Sequence, residues 1–331
     1  MGSATAPLSL HLRTAVAYIC IATGLALLPS VYPVTASVFG LLAFFLAMTE
    51  VSTFTSSWQF TAVYLSALIT GMGCSETGTL PVLCITLFIT ATGCTGRILF
   101  FRTLGYTGYS FFEPVLFTLA LAAWIGTNLL LPFNLAAWLV PLPMLVLQAM
   151  MAMGILKDRI QLLRFTKGGY KIAIGAAAPE FSLPDQEGKE VMLSSFRNQR
   201  HLLLVFVRGD WCPGCHMMLR TYQKEAAQFR TKNIFVLAIG PDPVGVNREM
   251  VEKLGLDFKV LSDEKQKTAM VYGVQLDKYE HQFEDLYDEG VPLPASFLID
   301  KTGVVRYVSR PDKVGEFLDP RTIFPIIDRL T

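Results

Sequence analysis

The chain has few cysteines, few charges in its first half, and almost no excess charge overall. Its 331 residues include 6 cysteines and 4 histidines, and the formal net charge is +1. A near-neutral chain without a basic stripe excludes an extended nucleic-acid-binding surface. The cysteines are too few and too unevenly spaced for a secreted disulfide scaffold, and the single Cys-x-x-Cys has no second Cys/His pair at the spacing of a zinc site. We therefore expect no metal, no bound cofactor and no nucleic-acid partner.

Lysine and arginine are nearly absent from residues 14–156, whereas residues 157–331 form a charged sequence typical of a soluble domain. The apolar runs predict helices at 14–31, 34–51, 57–73, 79–95, 111–131 and 134–156, each close to the ~17–25 residues that cross a bilayer. Arg13 precedes the first helix, Arg97 and Arg102 follow the fourth, and a basic segment follows the sixth. With six spans all these charges lie on one side, which the positive-inside rule places in the cytoplasm. We expect an integral protein of the bacterial inner membrane, with its soluble half in the cytoplasm.

Four cysteines lie in the apolar half of the chain: Cys20, Cys74, Cys84 and Cys94. One interpretation is that they are small apolar packing residues. The other is an electron relay, in which membrane thiols pass reducing equivalents to the soluble half. Thiol exchange needs close partners, and no Cys-x-x-Cys pairs these residues in the sequence. The sequence therefore favours packing and leaves the relay open.

The soluble half divides into a basic connector, residues 157–178, and a domain of alternating strands and helices, residues 179–331. Strands are predicted at 201–207, 233–239, 258–261, 295–299 and 304–308, and helices at 213–230, 244–254, 264–272 and 320–330. This alternation predicts a mainly parallel central sheet with helices on both faces and a closing antiparallel hairpin. The expected architecture is an α/β domain that follows an all-α transmembrane helical bundle, residues 1–156.

A two-cysteine corner joins the first long strand of this domain to its first helix. The sequence WCPGCH, at 211–216, opens the helix directly after the strand. Unpaired N–H groups and a partial positive charge at a helix N-terminus stabilise a thiolate, and sites in such sheets lie at the carboxyl ends of the strands. We therefore expect Cys212 and Cys215 to be the catalytic pair and to cycle between a dithiol and a disulfide.

Several neighbours of the cysteines are candidate supporting residues, and two of them have two interpretations each. Arg208 is either a positive charge that stabilises a thiolate or a solvated charge at the strand end. His216 either lowers the pKa of a thiol when it is protonated or is a solvated side chain of the first helical turn. We expect Trp211 to cover one side of the sulfurs and Asp210 to be a turn residue.

Three segments make the domain resemble thioredoxin-fold proteins of the peroxiredoxin (AhpC/TSA) family over about residues 172–331. They are APEFSLPD at 178–185, FVRGDWCPGC at 206–215 and VPLPASFLIDKTG at 291–303. The resemblance implies a thioredoxin-like fold with a central mixed sheet. It also implies a thiol peroxidase with a hydroperoxide substrate and a thioredoxin-like or other thiol reductant. We recognise no family for the apolar half.

The corner departs from the family's pattern, Pro-x-x-x-Thr-x-x-Cys. In that register Cys215 matches the cysteine that attacks peroxide, Cys212 stands at the Thr position and Arg208 at the Pro position. Pro294 stands where the family usually has an Arg, and it resembles the cis-proline that thioredoxins place beside their redox disulfide. Pro213 belongs to the Cys-Pro-Gly-Cys motif, which is similar to that of thioredoxins, where the first cysteine is the nucleophile and the second resolves.

These two analogies leave three functions open. The first is a membrane-anchored, thiol-dependent peroxidase with an antioxidant role. The second is a membrane-tethered thiol–disulfide oxidoreductase that acts on protein disulfides, with Cys212 forming the mixed disulfide. The third is a non-enzymatic redox-sensing membrane module, in which the disulfide is the switch. The segments outside the cysteine pair favour the first.

Overall fold

The computed structural model describes residues 11–30, 32–51, 53–75, 78–100, 104, 111–165, 170–276, 287–309 and 320–329. The chain divides into two compact units. The helical unit comprises Pro7–Leu104 and Tyr109–Gln161, and the second unit consists chiefly of Leu162–Thr331. Of the basic residues that orient the predicted bundle, Arg102 and Lys167 lie outside the described residues.

Helices make up the regular structure of the described part of the helical unit. They are α1 (Leu12–Leu27), α2 (Pro33–Thr49), α3 (Ser57–Cys74), α4 (Leu80–Leu99), α5 (Phe112–Leu130), α6 (Leu135–Leu139) and α7 (Leu142–Phe165). The first five agree with the predicted helices within a few residues. The sixth predicted helix, 134–156, is instead two helices, because Pro143 has no N–H for the carbonyl of Leu139 and its ring clashes there. α7 then continues into the predicted connector.

Small residues form the interior of the helical unit, and large apolar side chains form much of its exterior. A Cβ atom on Gly40 would lie 2.3 Å from Oγ1 of Thr70, and one on Gly73 would lie 2.5 Å from the carbonyl oxygen of Pro33. In contrast, Leu130 is 85% exposed and Phe133 is 77% exposed. Helices packed in lipid show this arrangement, because small residues let backbones approach closely and apolar side chains face the acyl chains.

Three helical segments are long and apolar enough to cross a bilayer: Leu80–Leu99, Phe112–Leu130 and Leu135–Lys157. Two shorter apolar helices, α1 and α2, contain 16 and 17 residues. At 1.5 Å per residue they reach about 24–26 Å, slightly less than the ~30 Å hydrocarbon core of a bilayer. By length and composition, the described residues therefore support three of the six predicted spans.

The second unit is built on a five-stranded sheet, with two small two-stranded antiparallel sheets besides it. The strands are β1 (Ser182–Pro184), β2 (Glu190–Met192), β3 (His201–Phe206), β4 (Ile234–Gly240), β5 (Lys259–Ser262), β6 (Gln275–Leu276), β7 (Val291–Pro292), β8 (Ala295–Ile299) and β9 (Val305–Val308). The sheet order is β5-β4-β3-β8-β9. The pairs β3–β4 and β4–β5 are parallel, whereas β3–β8 and β8–β9 are antiparallel. The sheet is thus mixed rather than mainly parallel, because β8 returns beside β3 in the opposite direction.

Helices cover this sheet and bury its central strand. They are α8 (Pro213–Lys224), α9 (Ala226–Thr231), α10 (Val244–Leu254), α11 (Lys267–Tyr272) and α12 (Phe324–Ile327). The predicted helix 213–230 is interrupted at Glu225, between α8 and α9. All six residues of β3 are buried, so side chains on both faces of the strand lie in the core. A strand buried on both faces needs cover on both sides, as in layered α/β folds. The predicted thioredoxin-like fold is confirmed.

Candidate redox site

Cys212 is the N-cap residue of α8, shortly after the end of β3. Its Sγ accepts a hydrogen bond from the backbone N–H of Cys215 at 3.3 Å. Pro213 follows at the start of the helix, where its missing N–H is no loss and its fixed φ suits the first turn. The Cys212 sulfur therefore lies at the positive end of the helix dipole, where a thiolate is stabilised.

Cys215 lies one turn further along α8 and is only 3% exposed. Its Sγ accepts a hydrogen bond from the backbone N–H of Arg208 at 3.4 Å. Burial raises the pKa of the Cys215 thiol well above its usual value, and the neighbouring Cys212 sulfur raises it further. Cys215 is thus a buried thiol whose S–H donates to the sulfur of Cys212.

The pKa of the Cys212 thiol is lowered to about 7. The hydrogen bond from the Cys215 side chain is the largest cause. The charge of Arg208 and the N–H groups of Gly214 and Cys215 lower this pKa as well, and burial opposes them. As a residue Cys212 is only partly buried, whereas Cys215 is buried. The lowered pKa increases the share of thiolate at this position at neutral pH.

Arg208 and Trp211 contact each other beside the cysteines. The guanidinium carbon of Arg208 lies 5.3 Å from the centroid of the Trp211 ring. The indole N–H donates to the carbonyl oxygen of Arg208 at 3.0 Å. The hydrogen bond fixes the indole against the Arg208 backbone, and the cation–π contact holds the guanidinium over the ring. The charge of Arg208 lowers the pKa of Cys212. The geometry therefore favours the charge-supplying interpretation of Arg208, while the cover of the sulfurs by Trp211 stays a prediction.

His216 differs from both interpretations given on sequence. Its side chain is 0% exposed, so the solvated interpretation is wrong. Its Nε2 lies 2.9 Å from Oδ1 of Asp210. Burial lowers the pKa of His216 even though the carboxylate opposes this, so the ring is neutral at pH 7 and supplies no positive charge to a thiol. Because a carboxylate only accepts, Nε2 carries the proton in this pair.

Asp210 connects the corner to α10 and is more than a turn residue. Nζ of Lys253 lies 2.6 and 2.7 Å from the two carboxylate oxygens of Asp210. Burial by itself raises the pKa of Asp210. The hydrogen bonds from His216 and Lys253 outweigh burial, and the pKa is lowered. The carboxylate stays ionised and joins the first turn of α8, through His216, to the last turn of α10.

The buried carboxylate of Asp242 also fixes the loop before Cys212. Its Oδ2 accepts a hydrogen bond from the backbone N–H of Asp210 at 2.7 Å, and Tyr287 donates its O–H to Oδ1. Burial raises the pKa of Asp242. Gly209 permits this close approach: its φ is +120°, and a Cβ atom there would lie 2.6 Å from the Tyr287 hydroxyl.

The sequence did not indicate Lys253, Asp242 or Tyr287 as parts of this site. The sequence could have indicated Asp242. It follows the carboxyl end of β4, the parallel neighbour of β3, and site residues collect at that edge of an α/β sheet. Nothing in the sequence indicates Lys253 or Tyr287, because only the packing of distant segments brings them to the corner.

Pro294 lies just before β8, whose first residue Ala295 pairs with Phe206 at the end of β3. It is therefore at the same edge of the sheet as the two cysteines. The described residues contain no cis peptide bond, so the cis-proline that the thioredoxin resemblance implied is wrong. Trans is the default for a peptide bond before proline. Here the N–H of Leu293 also donates to the carbonyl of Val274 at 2.6 Å, which holds the segment extended.

A mixed five-stranded sheet with a Cys-x-x-Cys at the helix after its central strand defines the thioredoxin-like class of proteins. Within this class, the AhpC/TSA family model matches residues 174–308. The chain belongs to the AhpC/TSA family. The predicted family is confirmed, and the family match leaves the helical unit outside it.

Individual relatives include peroxiredoxins and a thiol–disulfide oxidoreductase. The chain is 31% identical over 153 residues to a putative chloroplastic peroxiredoxin Q of Oryza sativa subsp. indica, over 45% of this chain and 66% of that protein. It is 31% identical over 137 residues to a putative peroxiredoxin bcp of Coxiella burnetii, over 41% of this chain and 87% of that protein. It is 28% identical over 138 residues to the thiol-disulfide oxidoreductase ResA of Geobacillus thermodenitrificans, over 41% of this chain and 69% of that protein. The chain thus spans just under two thirds of the length of the rice relative.

Proposed function

We propose that the chain is a membrane-anchored, thiol-dependent peroxidase that cycles a Cys212–Cys215 disulfide. The observation that carries this proposal is the asymmetry of the two sulfurs. Cys212 is only partly buried, caps α8 and has a pKa lowered to about 7, whereas Cys215 is buried and its pKa is raised. The thiolate is the nucleophile, so Cys212 is the attacking cysteine. The family register by itself assigns that role to Cys215, which is the poorer nucleophile here.

The proposed cycle has three steps. The Cys212 thiolate attacks one oxygen of a hydroperoxide, the O–O bond breaks, and the product alcohol leaves with a proton. Cys212 is now a sulfenic acid, which the Cys215 thiol attacks, and this forms the disulfide and releases water. A thioredoxin-like protein or another dithiol then supplies two electrons and two protons. Arg208 stabilises the negative charge that develops on the leaving oxygen.

Sulfenic-acid trapping tests the first step. We expect the Cys215→Ser variant, treated with substoichiometric hydroperoxide and dimedone, to carry the label on the Cys212 peptide. The matched Cys212→Ser variant should carry no label. A label on Cys215 in Cys212→Ser would instead support the family register. A full-length chain that consumes no hydroperoxide with any thiol donor would exclude the peroxidase.

The second candidate function is a thiol–disulfide oxidoreductase that acts on protein disulfides. Two observations favour it: Cys212, the first cysteine of the Cys-x-x-Cys, is the N-cap of α8, and the thiol-disulfide oxidoreductase ResA is among the relatives. Here Cys212 attacks a substrate disulfide, and Cys215 resolves the mixed disulfide. Insulin reduction without peroxide turnover would select this function. In Cys215→Ser, a stable mixed disulfide with the substrate would identify it directly.

The helical unit, in this proposal, anchors the redox domain to the cytoplasmic face of a bacterial inner membrane. Long apolar helices and an apolar exterior support the anchor. Arg13 at the start of α1 and Arg97 at the end of α4 support the orientation, through the positive-inside rule. Reporter fusions at the C-terminus test it. Green fluorescent protein should fluoresce and alkaline phosphatase should be inactive, whereas active phosphatase would reverse the orientation.

A further inference from the structure

Two cysteines of the helical unit, Cys74 and Cys84, lie against the same glycine. Cys74 ends α3, and Cys84 lies in the second turn of α4. A Cβ atom on Gly71 would lie 2.9 Å from Sγ of Cys84 and 3.6 Å from its Cα, so the two helices approach closely here. The Cys74 thiol, one turn after Gly71, donates to the Gly71 carbonyl at 3.8 Å. Gly71 has no side chain to separate the two sulfurs.

The two sulfurs differ in access, as an exchanging pair requires. Cys74 is 3% exposed, whereas Cys84 is only partly buried. The two thiols are also within electrostatic range of each other. Exchange needs one accessible thiol that meets the oxidant and a second one close enough to resolve the intermediate. By comparison, Cys94 is ten residues beyond Cys84 on α4, about 15 Å away at 1.5 Å per residue.

The pair lies at a defined end of the helical unit. Nδ2 of Asn134, between α5 and α6, donates to the carbonyl of Cys74 at 3.1 Å. The C-terminus of α3 therefore lies beside the start of α6. At the other end, where α4 stops and α5 starts, Arg97 donates two hydrogen bonds of 2.6 Å to Glu113.

We propose that Cys74 and Cys84 form a second redox-active dithiol, which exchanges with small disulfides at the end of the helical unit where α3 stops and α4 starts. The Cys84 thiolate attacks a small disulfide and forms a mixed disulfide, and one small thiolate leaves and takes up a proton. The Cys74 thiol then attacks the Cys84 sulfur and displaces the second small thiol. Two cysteines are oxidised, one S–S bond forms and another is broken. This site does not depend on the function proposed for Cys212 and Cys215.

The test uses the full chain in lipid nanodiscs with Cys212→Ser and Cys215→Ser, so that the soluble pair is silent. The protein is equilibrated with oxidised and reduced glutathione at stepwise ratios, alkylated with N-ethylmaleimide, digested and analysed by mass spectrometry. We expect a peptide linked through Cys74 and Cys84 to appear at oxidising ratios and to disappear after dithiothreitol. Four alkylated cysteines at every ratio would overturn the proposal. A linked peptide that resists reduction would also overturn it, because the disulfide would then be structural.

Variants of the pair supply the second measurement. Cys74→Ser should trap glutathione on Cys84 as a mixed disulfide, because the resolving thiol is absent. Cys84→Ser should trap none, and the matched control Cys94→Ser should form the linked peptide as the parent does. A missing adduct in Cys74→Ser, or a linked peptide lost in Cys94→Ser, would contradict the assignment. The first measurement needs no change in the helical unit, so it stands even if a variant fails to fold.

Discussion

Removing the thiol of Cys215 tests the origin of the reactivity of Cys212. Its S–H is the largest cause of the lowered pKa of Cys212. In Cys215→Ala we expect this pKa to rise from about 7 towards the 9.0 of an ordinary thiol. Arg208 and the N–H groups of the first helical turn remain, so a full rise of two pKa units, about 2.7 kcal/mol, is the upper limit.

The expected change in rate follows from two opposing effects. At pH 7 a full rise lowers the thiolate fraction from roughly one half to about 1%, a loss of about 50-fold. A more basic thiolate is intrinsically the better nucleophile, by about 6–10-fold for this difference in pKa. Alkylation of Cys212 at pH 7 should therefore slow by at most about 5–8-fold. Well above both pKa values the variant should react faster than the parent, so the two rate profiles cross.

Iodoacetamide alkylation of the full chain, followed on the Cys212 peptide by mass spectrometry, measures both profiles. The parent should show a midpoint near pH 7, in agreement with its pKa of about 7. Cys215→Ser is the matched control, because its hydroxyl still donates to the thiolate, and its midpoint should rise less. An unchanged midpoint in Cys215→Ala, or equal rises in both variants, would refute the role of this hydrogen bond.

Three further substitutions test the surroundings of the site and the helical packing. Lys253→Met should lower the free energy of unfolding by about 1–3 kcal/mol at pH 7. The pKa of Asp210 is lower in the folded protein than in the unfolded chain, so its ionised carboxylate stabilises the fold at pH values above the unfolded-state pKa. This stabilisation disappears as the pH falls through the folded-state pKa, and the loss caused by Lys253→Met should therefore shrink in acid. Gly209→Ala, with φ +120° and a neighbour at 2.6 Å, should cost about 1–3 kcal/mol in urea unfolding. Gly73→Val should lower the thermal midpoint of the helical unit in detergent, because its Cβ would lie 2.5 Å from a carbonyl oxygen of α2. Gly126→Val is the control and should leave this midpoint unchanged, because nothing lies within 4 Å of its Cβ position.

Each of these expectations has an outcome that contradicts it. Gly188→Ala is the control for Gly209, because its φ is +75° and nothing lies within 4 Å of its Cβ position. Equal losses at the two glycines would show that the contact with Tyr287 is immaterial. If Lys253→Met destabilises as strongly at pH 3 as at pH 7, the ion pair is not the cause. Equal midpoints for Gly73→Val and Gly126→Val would argue against close packing of α2 and α3.

The fold could be predicted because local patterns carry it. The apolar run of β3 and the alternation after it predict an α/β sheet, and the family segments narrow this to a thioredoxin-like domain. The mixture of parallel and antiparallel strand pairs was harder to predict, because the direction in which β8 lies beside β3 depends on a long-range connection. The break before α7 could have been predicted from the sequence, because Pro143 has no N–H to donate in a continuous helix.

The site was predicted only as far as its own segment reaches. Cys212 and Cys215 were identified because a strand, a turn and a helix are contiguous in the sequence. The neutrality of His216 was not predictable, since it depends on burial by distant segments. The same holds for Lys253, which reaches Asp210 from the far end of α10.

The cap of α8 makes helix stability depend on the oxidation state of the corner. In the dithiol form the Cys212 sulfur accepts the N–H of Cys215, and a cap of this kind is worth about 0.5–2 kcal/mol. A disulfide sulfur carries no negative charge and accepts poorly, so oxidation weakens the first turn of the helix. The lost cap energy therefore favours the dithiol over the disulfide. Since 1.4 kcal/mol corresponds to about 30 mV, the reduction potential of the pair rises by about 10–40 mV. The helix terminus itself thus makes the disulfide a stronger oxidant.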